Sequence, residues 1–283
     1  MPELPEVETV KRGLEEFIIN ETIRKVYLSE LKLRFPWPKN FISKVVGKKI
    51  VSIKRRAKYI IISLNQDYSI IAHLGMSGSY KVLKKNVTQD YIRLKHDHLV
   101  IELDNFILAY NDPRRFGYID LTNEEPEKHK FLSLLGPEPL SNSFNENDLA
   151  GSLLNKNKSI KNTLLDQSIV SGLGNIYVCE ALFRSKINPK KNCSKLITSK
   201  GKPREKLILL VNKINEVIKE AIDAGGSTLR DFSSTDGKMG YFQISFYVYD
   251  RENEKCLLDD CGGVIKRVVQ SGRSTFFCSN CQK

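Results

Sequence analysis

Apolar residues at Val7, Val10, Leu14, Phe17 and Ile18 recur with the helical period, so residues 3–19 are predicted to form one amphipathic helix. Pro2 and Pro5 suit its entry, where a missing backbone N–H costs nothing. From about residue 21 to 122 the period shortens. KIVSI (49–53), YIIISL (59–64), YSIIAHL (68–74), HLVIEL (98–103) and FILAY (106–110) are short, β-branched runs. NQD, GMSG, HD and DN separate them and read as turns. A leading helix followed by an antiparallel sandwich or barrel is expected.

The segment 136–148, GPEPLSNSFNEND, is rich in Pro, Ser and Asn and reads as a linker. Residues 146–224 read as helical. A long amphipathic helix near 204–224 should end at Gly225-Gly226, which can cap it in a left-handed conformation. Residues 227–243 are polar and glycine-bearing and read as a loop. The last ~40 residues hold short strands.

Composition adds a partner class. The 283 residues are 41% hydrophobic and 28% charged, enough to bury a core and roughly enough for two domains. Lys and Arg number 45 against 33 Asp and Glu, a formal charge of +12. That excess fits a polyanionic partner and equally fits a solvated basic surface. No stretch approaches the ~20 apolar residues of a membrane span. The N-terminus MPELPEVETV lacks the basic and apolar regions of a signal peptide, so a cytoplasmic protein is expected.

Reduced thiols follow from that compartment, so the six cysteines are not read as a disulfide framework. Cys256 and Cys261 enclose four residues, Cys278 and Cys281 enclose two, and sixteen lie between the pairs. Two close thiolate pairs can surround one Zn²⁺ tetrahedrally. The segment is too short to fold stably alone, so metal ligation would hold it. Between the pairs, GGVIKRVVQSGRSTFFC reads as a hairpin turning at Ser271-Gly272, with Arg273 at its tip. Such an arginine suits a phosphate or base contact, and is also an ordinary turn residue. Cys179 lies in an apolar helical pattern and reads as core.

MPELPEVETV, RRAKYI (55–60), HLGMSG (73–78), DPRRFG (112–117), LGPEPL (135–140), GLGNIY (172–177), DGKMGYF (236–242) and the terminal CSNCQK together resemble formamidopyrimidine-DNA glycosylase, along the whole chain and in order. The resemblance implies an α+β multidomain fold. A catalytic antiparallel β-sandwich with a leading helix would occupy 1–135 and a linker 136–148. A helix–two-turn–helix DNA-binding domain would span 149–243, with a lesion-capping loop at 225–243. A zinc-finger β-hairpin would span 244–283.

It implies excision of oxidised purines from double-stranded DNA by a monomer, followed by β,δ-elimination. The implied catalytic residues are Pro2 as nucleophile, Glu3 as proton donor, Lys58 near the lesion and Arg273 on the hairpin. Met76, Arg114 and Phe116 would fill the void left by the everted base. His73, His96, Arg114, Lys156 and Asn175 would contact phosphate. Cys256, Cys261, Cys278 and Cys281 would hold one structural zinc.

The chemistry of the residues agrees. Removal of Met1 would leave Pro2 a secondary amine with a pKa near ~8, a useful fraction of it free base. A helix N-terminus disfavours the ammonium form, and attack on the sugar C1′ gives a Schiff-base-type intermediate. The same dipole should keep Glu3 ionised, so burial or a neighbouring carboxylate is needed if it is to donate a proton. Pro and Glu also simply start helices, Lys58 is also one of several phosphate-seeking charges, and Asn175 is also an N-cap candidate. His129 reads as a surface residue. Two departures stand out: the four-residue Cys256–Cys261 spacing where the family has two, and Met239 in place of a loop proline. The competing readings are an endonuclease VIII-like glycosylase for oxidised pyrimidines and a non-catalytic zinc-finger protein that binds damaged DNA.

Overall fold

The computed structural model describes residues 1–85, 91–227 and 242–283. Met239 and most of the loop expected to cap the lesion, 225–243, lie outside the described residues. The chain divides into two compact units, Met1–Ser133 with Ala224–Gln243, and Leu134–Asp223 with Ile244–Lys283. No helix among the described residues is long and apolar enough to cross a membrane.

In the first unit α1 (Leu4–Ile18) leads two antiparallel four-stranded sheets. One runs β1 (Lys25–Leu28), β6 (Asp97–Glu102), β7 (Phe106–Asn111), β5 (Ser79–Lys84). The other runs β2 (Ile50–Arg56), β3 (Tyr59–Leu64), β4 (Ser69–His73), β8 (Tyr118–Thr122). The stripe Val7, Val10, Leu14 and Ile18 packs into the same core as Ile53, Ile60, Ile62, Ile70, Leu99 and Leu108. A short helix, α2 (Phe41–Val45), adds Phe41 and Val45. Each fully buried side chain of this size contributes about 1.5–3 kcal/mol, so the stripe fixes α1 against the sandwich.

Three strands, β1, β5 and β8, lie outside the predicted runs, and all three are sheet edges. His129 differs from expectation. It is 9% exposed, because its Nε2 meets Asp120 Oδ2 at 3.2 Å and its ring lies against Phe131.

The second unit breaks the predicted helical stretch into α3 (Glu146–Leu153), α4 (Ile160–Leu164), α5 (Asn175–Arg184) and α6 (Glu205–Asp223). Asn145 caps α3 and Ser159 caps α4 with side-chain oxygens. α6 stops before Gly225 and Gly226, whose φ values of +74° and +77° glycine adopts without strain. The segment read as a linker is tied down within this unit. Gly136 N–H donates to Gln167 O, Ser171 N–H to Pro137 O, and Leu140 N–H to Asn215 Oδ1, each at 2.9 Å. The unit ends in a hairpin of β9 (Ile265–Gln270) and β10 (Arg273–Cys278). Its two-residue turn, Ser271–Gly272, has positive φ at both positions, the form that matches strand twist.

Candidate functional site

α1 begins beside Pro2, with Glu3 as its N-cap. Glu3 and Glu6 close a reciprocal capping box, and Glu6 Oε2 accepts the Glu3 N–H at 2.8 Å. Both glutamates are nearly inaccessible, Glu3 at 3% and Glu6 at 2%. Glu3 is therefore out of water, and a second carboxylate lies in the same capping box.

Lys58 sits in the tight turn between β2 and β3, after Ala57 at φ +51°. Arg55 places this turn against α1: its Nε donates to Glu8 Oε2 at 2.8 Å and its Nη1 to Ala57 O at 3.1 Å. Burial opposes the Glu8 charge, but Arg55, together with Lys11 and Arg12, outweighs it and holds the carboxyl below its ordinary range. Lys58 is 6% exposed.

The Lys58 charge is felt at His73, the last residue of β4. Burial first, then Lys58 and Arg34, bring His73 down to about 4. Its Nδ1 accepts the Gly75 N–H at 2.9 Å, so the neutral ring carries its proton on Nε2, as a donor. An unfolded chain takes up this proton near 6.5, while the folded one stays neutral down to about 4. Stability is thus lost as pH falls through that window, by up to about 3 kcal/mol. His73→Asn should flatten the pH dependence of Tm there. An equally steep profile in the variant would count against the assignment.

Met76 and the 112–117 loop meet through an acidic hub. Ser77 Oγ donates to Asp112 Oδ1 at 2.6 Å, and Gly117 N–H donates to Asp112 Oδ2 at 2.8 Å. Arg114 N–H reaches Ser77 Oγ at 3.2 Å. Gly75, at φ +64°, lies so close that a Cβ would fall 2.3 Å from the backbone of Phe116 and Gly117. Met76, Arg114 and Phe116 are therefore brought together. The Arg114 guanidinium lies 5.0 Å from the ring centre of Phe116, which is 45% exposed. Beside them Lys32, Leu33, Arg34 and Arg115 help line a cleft of about 570 Å³. His96 joins this region through its carbonyl, which accepts the Asp112 N–H at 3.0 Å.

In the second unit Gly174, not Asn175, is the N-cap of α5. Asn175 is the first helical residue, and its Nδ2 donates to Ser274 O at 2.9 Å, next to Arg273. One amide hydrogen thus braces the hairpin strand that Arg273 begins. Sequence reasoning missed Lys161. It is fully buried and donates to Ser274 O at 2.9 Å and Thr275 Oγ1 at 2.7 Å, fixing the strand that begins with Arg273. Lys156 lies in the loop after α3, its carbonyl held by Cys193 Sγ.

The sulfurs of Cys256, Cys261, Cys278 and Cys281 all lie within 4.8 Å of one another. Zinc–sulfur bonds of about 2.3 Å set the corners of a tetrahedron about 3.8 Å apart, so the four thiolates fit one Zn²⁺ with small adjustment. The wide first knuckle is accommodated by a turn in which Cys261 N–H donates to Leu258 O at 3.0 Å. Gly263 is needed here, because a Cβ would lie 2.7 Å from Cys278 Sγ. The metal's role is to hold the hairpin, not to meet substrate.

A helix-led β-sandwich with a buried glutamate pair, and a helical unit ending in a four-thiolate hairpin, define a class of zinc-finger repair glycosylases. Family profiles agree. The formamidopyrimidine-DNA glycosylase N-terminal domain matches residues 1–119, the formamidopyrimidine-DNA glycosylase H2TH domain 135–233, and the zinc finger found in FPG and IleRS 253–283. The chain belongs to the formamidopyrimidine-DNA glycosylase family. It is 47% identical over 298 residues to the formamidopyrimidine-DNA glycosylase of Agrobacterium fabrum, covering all of both chains. It is also similar to an inhibited LlFpg in complex with N7-benzyl-Fapy-dG-containing DNA, with a TM-score of 0.88, 37% identity and full coverage of both. Wild-type Lactococcus lactis Fpg in complex with an oxidised-pyrimidine-containing DNA matches with a TM-score of 0.86 and 36% identity, again over both whole chains.

Proposed function

We propose that this protein removes oxidised purines from double-stranded DNA and then cuts the strand, acting as a monomer in the cytoplasm. The observation that carries the reading is the start of α1, where Pro2 and Glu3 are buried and fixed instead of trailing into solvent. Loss of Met1 makes Pro2 a secondary amine. Its nitrogen attacks C1′, the glycosidic bond breaks toward the base, and Glu3 supplies the proton the departing base needs. The C1′–O4′ bond then opens as the proton of the Pro2 nitrogen passes to O4′, and the iminium so formed makes the C2′ proton acidic, which permits β-elimination and then δ-elimination. Lys58 assists at the reacting sugar and Arg273 binds the phosphate that leaves.

The base must first leave the stack. Met76, Arg114 and Phe116 stand close enough together to occupy the vacated space, an apolar wedge with a cation beside it. His73, His96, Lys156 and Asn175 bind flanking phosphates, His73 through a neutral Nε2–H. Cutting of duplexes carrying 8-oxoguanine or thymine glycol tests this. Preference for 8-oxoguanine is expected. Preference for thymine glycol would favour the endonuclease VIII-like reading, and binding without any cutting would favour a non-catalytic one.

A further inference from the structure

Glu6 holds more than its own helix. Its Oε2 accepts the Glu3 N–H at 2.8 Å, while Oε1 accepts both the N–H and the hydroxyl of Ser227 at 2.9 Å each. Ser227 is 1% exposed. Gly226 lies so close that an added Cβ would meet Glu6 Oε1 at 3.2 Å, and its carbonyl accepts the N–H of buried Phe242 at 3.1 Å. One buried carboxylate therefore ties the backbone of Glu3 to Ser227, 221 residues along the chain from Glu6, and through Gly226 to Phe242.

We propose that Glu6 is a positioning residue for base removal. It sets the Glu3 carboxyl relative to the chain at 226–227, and it acts on base removal far more than on strand cutting. This rests on the proposed role of Glu3 as proton donor. A carboxylate suits the task because these three groups are all donors. An amide does not. A glutamine oxygen that keeps both Ser227 bonds turns its NH₂ toward the Glu3 N–H, donor against donor, and Glu3 is released. Displacement of a catalytic group by about 1 Å costs up to about 100-fold.

Single-turnover kinetics on two duplexes test this, one carrying 8-oxoguanine and one a preformed abasic site. The abasic substrate has no base to protonate. Glu6→Gln should excise 8-oxoguanine about 10- to 100-fold more slowly and cut the abasic duplex at nearly the wild-type rate. Ser227→Ala keeps the backbone bond and should lose less, about three- to tenfold, again on excision alone. It serves as the test if Glu6→Gln fails to fold, as thermal melting will show. Equal losses on both duplexes, or none, in the folded variants would overturn the inference. Borohydride trapping of the wild-type protein on abasic DNA separates the two readings. Without that adduct the proposed chemistry falls. With it, equal losses remove the role of Glu6 alone.

Discussion

Glu3→Gln is expected to slow excision of 8-oxoguanine by about 10²–10⁴-fold, the range a positioned general acid supplies. Incision of a preformed abasic duplex should persist, because Pro2 still forms the iminium and no base remains to be protonated. Glutamine preserves the size and the polarity of the side chain at this 3%-exposed position, so folding should survive. The larger loss here than for Glu6→Gln follows from the two roles, one group giving the proton and the other holding the giver. Single-turnover rates on the two substrates decide it. If both fall equally, Glu3 serves the fold or the sugar chemistry and not the leaving base.

The second large effect concerns the metal. Cys278 is fully buried and packs with Cys179, Phe183, Val248, Ile265 and Phe276, so the zinc cluster and its seat on α5 share one small core. Zinc ligation in small fingers is worth about 10–16 kcal/mol. Cys278→Ser, or chelation, should therefore release β9 and β10 and with them Arg273. The Kd for abasic duplex should rise at least about tenfold. The salt dependence should flatten by about one counterion for each phosphate that the protein no longer holds. Affinity that survives complete zinc loss would show that the hairpin does not bind DNA.

How much of the fold is legible in the sequence depends on how local the cause is. β3 and β7 are continuous apolar runs because neighbours flank them on both sides, and both are readable. β1, β5 and β8 are edge strands with mixed burial, so KVYL, SYKVLK and YIDLT carry weak patterns. The thiolate pairs are readable since metal ligation imposes short spacing. The helical stretch reads as too long, because Asn145, Ser159 and Gly174 restart it at caps that an averaged pattern hides.

The site divides along the same line. Pro2, Glu3, Lys58, Met76, Arg114, Phe116 and Arg273 stand in sequence motifs. Asp112, Lys161 and Glu6 act through partners 35, 113 and 221 residues distant, which no local window displays. Two of them leave a trace, Asp112 as the first residue of DPRRFG and Glu6 through the capping-box spacing it shares with Glu3. The burial of His129 likewise comes from Asp120 and Phe131, and not from its own polar surroundings in sequence.

Peptide mapping of the borohydride-trapped adduct is the most direct test of the central claim. The deoxyribose remnant should be found on the nitrogen of Pro2, in the peptide that begins the mature chain. A remnant on Lys58 or any other lysine, with Pro2 unmodified, would contradict it.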